Sequence, residues 1–263
     1  MTTSPLRVEA PSEGVVLLTL DLPDRRNAMT TELTEAWKTE IAAIAANPEV
    51  RAVVVTGEGK AFCAGGDLGW IGESPDLTVD AIRSRMLPFY RAWLGIRSLE
   101  VPSIAAINGP AVGAGLCLAL ACDLRYAAAG AKLSAPFTQL GMHAGMAATW
   151  LLPEAVGLPV AKELLLTGRA VDADEALRIG LVNGVCPPEQ LLDTALEAAG
   201  RIAAAAPIAT KLTVAGLRAG VHRSLEDALQ YEALAQPVTF ATTDLTEGLA
   251  AARERRTPKF TGR

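Results

Sequence analysis

Short apolar runs rich in Val, Ile and Ala alternate with helix-length segments over the first two thirds of the chain, and this alternation restricts the fold more than any other feature. Val15–Leu20, Arg51–Thr56, Ser103–Ile107 and Leu124–Ala129 each have the length of one strand. Strands separated by helices predict βαβ units and a parallel sheet. The first strand is an exception, because Gly14 precedes it and lets it pair as a hairpin with Leu6–Ala10. Thr30 is placed to cap a helix that carries Leu33, Trp37, Ile41 and Ile44 on one face and stops near Asn47 and Pro48. Further helices are expected over Val79–Ser98 and Val112–Cys122. From Ala147 onward helices dominate, interrupted at Gly157-Leu158-Pro159, Gly168, Gly180, Asn183-Gly184 and Pro187-Pro188. The fold class is therefore α/β over residues 1–187, followed by an all-helical region, residues 188–263, that packs separately or serves oligomerisation.

With 263 residues, half of them hydrophobic and a fifth charged, the chain suits one large globular domain or a domain with an appendage. A net charge of −5 and the lack of a basic stretch argue against a nucleic-acid partner. The cysteines, Cys63, Cys117, Cys122 and Cys186, form no CxxC pair, and only His143 and His222 accompany them, so a zinc site is not expected. Reduced thiols fit a cytoplasmic setting. Met1–Pro11 is polar and lacks the apolar stretch of a secretory signal, and apolar runs such as Ala111–Ala121 contain glycines and stop short of a membrane span. A soluble, cytoplasmic protein with no membrane partner is expected.

Glycine-bearing segments follow two of the strands. Lys60–Leu68 comes just after Val53–Val55, and Ile107–Gly115 leaves one strand and enters a helix. Small residues let backbone amides approach a ligand, and a helix N-terminus adds free N–H groups with a favourable dipole. Two amides aimed at one oxygen make an oxyanion hole, where losing one donor typically removes about 3 kcal/mol of barrier stabilisation. Other glycine chemistries fail on spacing. Gly57-Glu58-Gly59-Lys60-Ala61 breaks the GxxxxGKS/T pattern, Gly109, Gly113 and Gly115 do not make GxGxxG, and no GxSxG elbow occurs.

These two segments resemble the signature regions of the crotonase (enoyl-CoA hydratase/isomerase) superfamily. Pro23–Met29 (PDRRNAM) resembles that family's RPxxxNA loop, Thr167–Val185 its TGxxxxAxEAxxxGLV stretch, and Pro258-Lys259-Phe260 its C-terminal ending. The resemblance implies a crotonase-like spiral of ββα units with a trailing helical region, assembled as a homotrimer or a dimer of trimers. It also implies an acyl-CoA thioester as partner, with coenzyme A carried by the substrate and no resident cofactor or metal. Carried over residue by residue, the oxyanion hole falls on the amides of Gly66 and Ala114. The CoA moiety is expected along Arg25, Arg26, Ala28, Ala64, Gly65, Gly66, Asp67 and Leu68, with Lys259 reaching its 3′-phosphate, in this chain or on a neighbouring subunit. For Arg25 and Arg26 a solvated loop is the competing reading. Asp67 is expected to fix its loop by accepting backbone N–H bonds.

The family's hydratases use two glutamates, and the resemblance puts Cys117 and Phe137 at those positions. A thiol has an ordinary pKa of about 8.5 and phenylalanine has none, so this pair cannot hold water as paired carboxylates do. Conventional hydration is not expected. Ala135–Gly141 resembles the PFS/TxLG stretch of an isomerase branch, yet the acid that branch carries a few residues later falls at Gly145. The same position serves dienoyl-CoA isomerases as an aspartate. His143 remains, either as a base for a Cα proton or as a loop histidine satisfied locally. Cys117, among Leu116, Leu118 and Leu120, reads as a core thiol. Phe137, Met142 and Trp150 read as pocket or core residues, and Glu154 and Glu163 as solvated charges. Two functions stay open: an enzyme acting on acyl-CoA through a stabilised enolate without hydration, and a non-catalytic acyl-CoA-binding protein on the same scaffold. A peptidase of the related ClpP type would need an ordered Ser-His-Asp triad, and the CoA-loop matches argue against it.

Overall fold

The computed structural model describes residues 4–67, 69, 78–220 and 224–263. Strands β1 (Leu6–Ser12) and β2 (Val15–Leu20) form the expected antiparallel hairpin. It opens a six-stranded sheet in the order β1-β2-β3-β4-β6-β9, with β3 at Ala52–Gly57, β4 at Ser103–Ile107, β6 at Leu124–Ala128 and β9 at Gly184–Cys186. Every pairing after the hairpin is parallel. A second, three-stranded sheet joins β5 (Ala111–Val112), β7 (Lys132–Ser134) and β8 (Val171–Asp172).

The apolar runs are continuous because both faces of the large sheet are covered. Leu18, Leu20, Val53, Val55, Ala105, Ile107 and Ala127 face one core, while Val15, Leu17, Ala52, Val54, Ile104, Ala106 and Ala128 face the other. The first core is closed by residues of α1 (Thr31–Ala46), α2 (Val79–Leu94), α3 (Ala114–Ala121) and α4 (Ala148–Thr167). Thr30 caps α1 as expected, its hydroxyl accepting from the Leu33 amide at 3.2 Å. Trp37 of α1 stacks on Trp93 of α2 with ring centroids 5.0 Å apart. Each buried indole N–H finds an acceptor, Trp37 on the Ala92 carbonyl at 3.2 Å and Trp93 on the Thr34 hydroxyl at 3.0 Å. These contacts fix α2, which supplies one wall of the site.

Three features differ from the sequence reading or refine it. The helix expected from Val112 begins at Ala114, because Ala111 and Val112 pair with Leu133 and Ser134 as a short strand. Gly157, with φ of 74°, breaks α4 where Gly157-Leu158-Pro159 had marked a stop. After α5 (Ala173–Arg178), the helical region from residue 188 is not all peripheral. Its first long helix, α6 (Leu191–Ala203), lays Leu191, Ala195, Ala199 and Ala203 on the second face of the large sheet. Helices α7 (Pro207–Gly220), α8 (Leu225–Phe240) and α9 (Thr243–Glu254) follow it. Arg218 ties α7 to the sheet end through a forked pair with Asp123 at 2.8 and 2.6 Å and through the Arg97 and Val101 carbonyls. Among the described residues no single helix is long and apolar enough to cross a membrane.

Candidate functional site

Parallel strands deliver their loops to one end of the sheet, and the segments that follow β3 and β4 meet there. The Phe62 and Cys63 amides both donate to the Pro110 carbonyl, at 3.1 and 3.2 Å, and the Val112 amide donates to the Cys63 carbonyl at 3.0 Å. Glycine sets how closely the two segments approach. A Cβ on Gly65, whose φ is +94°, would lie 2.6 Å from the Val112 carbonyl oxygen and 3.2 Å from the Ala114 amide nitrogen. One on Gly115 would lie 2.2 Å from the Cys63 carbonyl oxygen. Ala114 is the first residue of α3, so its amide is one of the N–H groups that a helix start leaves free. It keeps a negative φ, and alanine in place of glycine leaves the donor usable. Among the described residues neither the Gly66 nor the Ala114 amide donates to a protein acceptor. Both residues line a cavity of about 110 Å³.

A third segment, Arg25–Met29, is drawn to the same place by Asn27. This fully buried residue sits in the left-handed region at φ 56°, which Asn tolerates better than most side chains. Its Oδ1 accepts from the Leu22 amide at 2.9 Å, and its Nδ2 donates to the Ala61 and Glu58 carbonyls at 2.8 and 3.0 Å. The Ala64 amide then donates to the Arg26 carbonyl at 2.9 Å, and the Met29 amide to the Gly65 carbonyl at 2.8 Å. Arg25, Arg26, Ala28, Ala64, Gly65, Gly66 and Asp67 are thereby brought together. Asp67 does what its type predicts: Oδ1 accepts from the Gly69 amide at 3.1 Å, while Oδ2 pairs with Arg25 Nη2 at 2.6 Å. Leu68 lies outside the described residues. Lys259 does not line this cavity. Its segment is clasped elsewhere, the Lys259 amide on Glu247 Oε1 at 2.8 Å and the Phe260 carbonyl under Arg51 at 3.4 Å.

The facing wall is made of side chains. Met86, Phe89 and Tyr90 come from α2, and Phe137, Leu140, Met142, His143, Gly145 and Met146 from the segment before α4. No Asp or Glu lines the cavity among the described residues. Cys117, fully buried on α3, has its thiol pushed up to about 12 by desolvation and makes a weak contact to the Gly145 carbonyl at 3.7 Å. Burial likewise raises Cys63 to about 12. His143 is exposed, with Nδ1 2.8 Å from the Ala144 carbonyl oxygen. A carbonyl can only accept, so Nδ1 carries a proton, and in the neutral tautomer that fits this contact the lone pair is on Nε2. The histidine is thus bonded locally through Nδ1.

Tyr90, which sequence reasoning passed over, is the other titratable side chain on the cavity wall among the described residues. Burial raises its pKa above the ordinary tyrosine value, and the Met146 backbone opposes the shift. The available signal was Met86 and Tyr90, one helical turn apart on a core-facing stripe that carries a polar tip. Trp150 is not part of the pocket and instead stacks under Arg97 at 4.7 Å. Glu154 corrects the reading as a solvated charge: it pairs with Arg97 at 3.6 Å, and its Oε2 is buried without a hydrogen-bond partner among the described residues.

The profile of the enoyl-CoA hydratase/isomerase family matches residues 10–263. This chain belongs to that family. A probable enoyl-CoA hydratase of Mycobacterium tuberculosis, EchA14, is 43% identical over 218 residues, 83% of each chain. The crotonyl-CoA hydratase of Syntrophomonas wolfei is 36% identical over 249 residues, 94% of this chain and 95% of its own. The crystal structure of an enoyl-CoA hydratase from Bacillus anthracis superposes with a TM-score of 0.93 at 36% identity, covering 98% of this chain and all of that one. The α/β class and the C-terminal helices expected of a family member are therefore present in this enoyl-CoA hydratase/isomerase homologue.

Proposed function

We propose that this family member binds an acyl-CoA thioester with its carbonyl oxygen between the Gly66 and Ala114 amides and works through the enolate so stabilised, without conventional hydration. One observation carries the reading: two amides that have no protein acceptor among the described residues open onto an apolar cavity that no described carboxylate lines. As a proton leaves Cα, negative charge builds on the thioester oxygen, and each amide aimed at it is worth about 3 kcal/mol. His143 Nε2 is the base in this scheme, held in the useful tautomer by Ala144. The CoA moiety follows the ridge of Arg25, Arg26, Ala28, Ala64, Gly65 and Asp67. Lys259 is then supplied by a neighbouring subunit of a homotrimer or dimer of trimers, assembled in the cytoplasm through the helices beyond residue 188, where Leu217, Leu225, Leu234 and Phe240 are exposed.

A second reading, a non-catalytic acyl-CoA-binding protein, draws on Cys117, whose buried thiol is too weak an acid to replace a carboxylate. Mass spectrometry of saturated and unsaturated acyl-CoAs incubated with the protein in heavy water separates the two. Deuterium at Cα without added water, lost in His143→Ala, is the expected result. Water addition overturns the exclusion of hydration, and binding with no exchange leaves the non-catalytic reading.

A further inference from the structure

Position 145 is empty of any side chain, and a tyrosine hydroxyl stands over it. A Cβ built on Gly145 would lie 2.6 Å from the Tyr90 hydroxyl oxygen and 3.3 Å from the ring carbon that bears it. The space into which a residue at 145 would extend is thus occupied by a polar group from α2. Three elements meet at this point. Tyr90 comes from α2, the Gly145 carbonyl from the loop before α4, and the Cys117 thiol that touches that carbonyl from α3. Cys117 lies one turn along α3 from Ala114, about 5 Å up the helix axis. If the Ala114 amide holds the thioester oxygen, the Tyr90 cluster lies alongside the acyl carbons past Cα.

We propose that the Tyr90 hydroxyl is the proton donor that completes a double-bond shift in an enoyl-CoA, delivering its proton to the carbon remote from the thioester. This rests on the enolate reading above. In a β,γ-enoyl thioester, His143 Nε2 takes a Cα proton and the electrons move into a dienolate held by Gly66 and Ala114. The O–H bond of Tyr90 breaks as a C–H bond forms at Cγ, leaving the α,β-enoyl product and a phenolate. The proton on His143 returns to the phenolate, directly or through water, and no other reactant is consumed. Burial keeps Tyr90 in the neutral, donating form at working pH, and the Met146 backbone favours the transient phenolate.

The test uses the full-length protein, a β,γ-enoyl-CoA and heavy water, with deuterium scored separately at Cα and Cγ. Tyr90→Phe should retain acyl-CoA affinity and Cα exchange while losing net isomerisation and Cγ deuterium by roughly 100-fold or more, the usual contribution of a positioned acid. Gly145→Ala, which displaces the hydroxyl without removing it, should lose isomerisation in the same pattern but less severely. The alkaline fall of the wild-type rate, set above the ordinary tyrosine range, should vanish in Tyr90→Phe. Wild-type isomerisation by both variants would overturn the role of Tyr90 alone. A wild type that binds acyl-CoA but exchanges no Cα proton would overturn this inference together with the enolate reading beneath it.

Discussion

On one side of the cavity Gly66 and Ala114 offer amides fixed by backbone-to-backbone contact, whereas on the other Tyr90, Phe137, His143 and Gly145 face it with side chains or the lack of one. The first side has no slack: a Cβ at Gly65 or Gly115 would overlap a neighbouring carbonyl oxygen. The second can change residue by residue without moving the amides, since its links to the oxyanion frame, such as the Gly113 amide on the Ser134 carbonyl and the weak Cys117 thiol contact to the Gly145 carbonyl, run through main-chain carbonyls of the facing segment. A scaffold built this way keeps the means of stabilising an oxyanion and leaves the proton-transfer chemistry open to replacement.

The sharpest way to break this comparison is to put a side chain into the rigid side. Gly115→Val drives a Cβ to 2.2 Å from the Cys63 carbonyl oxygen, and a loss of more than about 4 kcal/mol is expected on denaturant titration, with acyl-CoA binding abolished. Asn27→Ala removes one acceptor and a shared donor from buried backbone groups and should lose about 2–4 kcal/mol in the same assay, with weaker acyl-CoA binding. A smaller effect is expected on the permissive side. Cys117→Ala should lower stability by about 1 kcal/mol and leave Cα exchange within about twofold of wild type. A tenfold loss of exchange would show that the thiol takes part in chemistry.

The smallest effect lies outside the cavity lining, at Glu247. Its carboxyl is held down to about 2, chiefly by hydrogen bonding from Arg256 and then by the Lys259 amide, against an ordinary 4.5. A depressed carboxylate contributes fully above its unfolded value, and that contribution fades as pH falls from about 4.5 through about 2. Pepsin should therefore trim the C-terminal segment more readily toward the bottom of that window, and Glu247→Gln should remove that pH dependence.

What the sequence makes legible here is local. The cap at Thr30, the hairpin at Gly14 and the strand Ser103–Ile107 each carry their signal within a few residues, and each forms where expected. The oxyanion segments are legible for a related reason, since their glycines answer to contacts that only a missing Cβ permits. Strands such as β7 and β8 are not, because three residues at Lys132 and two at Val171 become strand only by pairing across a long stretch of chain. The alanine stripe of α6 looks the same whether it faces a sheet or a partner molecule, so its place on the sheet could not be read from its own residues. Tyr90 escaped for want of context, as its meaning comes from Gly145, which a linear reading never sets beside it.

The position of α6 has a consequence for how the protein is made. The sheet face formed by Val15, Leu17, Ala52, Val54, Ile104, Ala106 and Ala128 is covered by Leu191, Ala195, Ala199 and Ala203, which leave the ribosome after every strand of that sheet has emerged. Until then the nascent chain carries a wide greasy surface in search of a cover, the kind of intermediate that chaperones shield and that aggregates when they do not. A ribosome stalled before Leu191 would therefore display a chaperone substrate, and one stalled well past Ala203 would not.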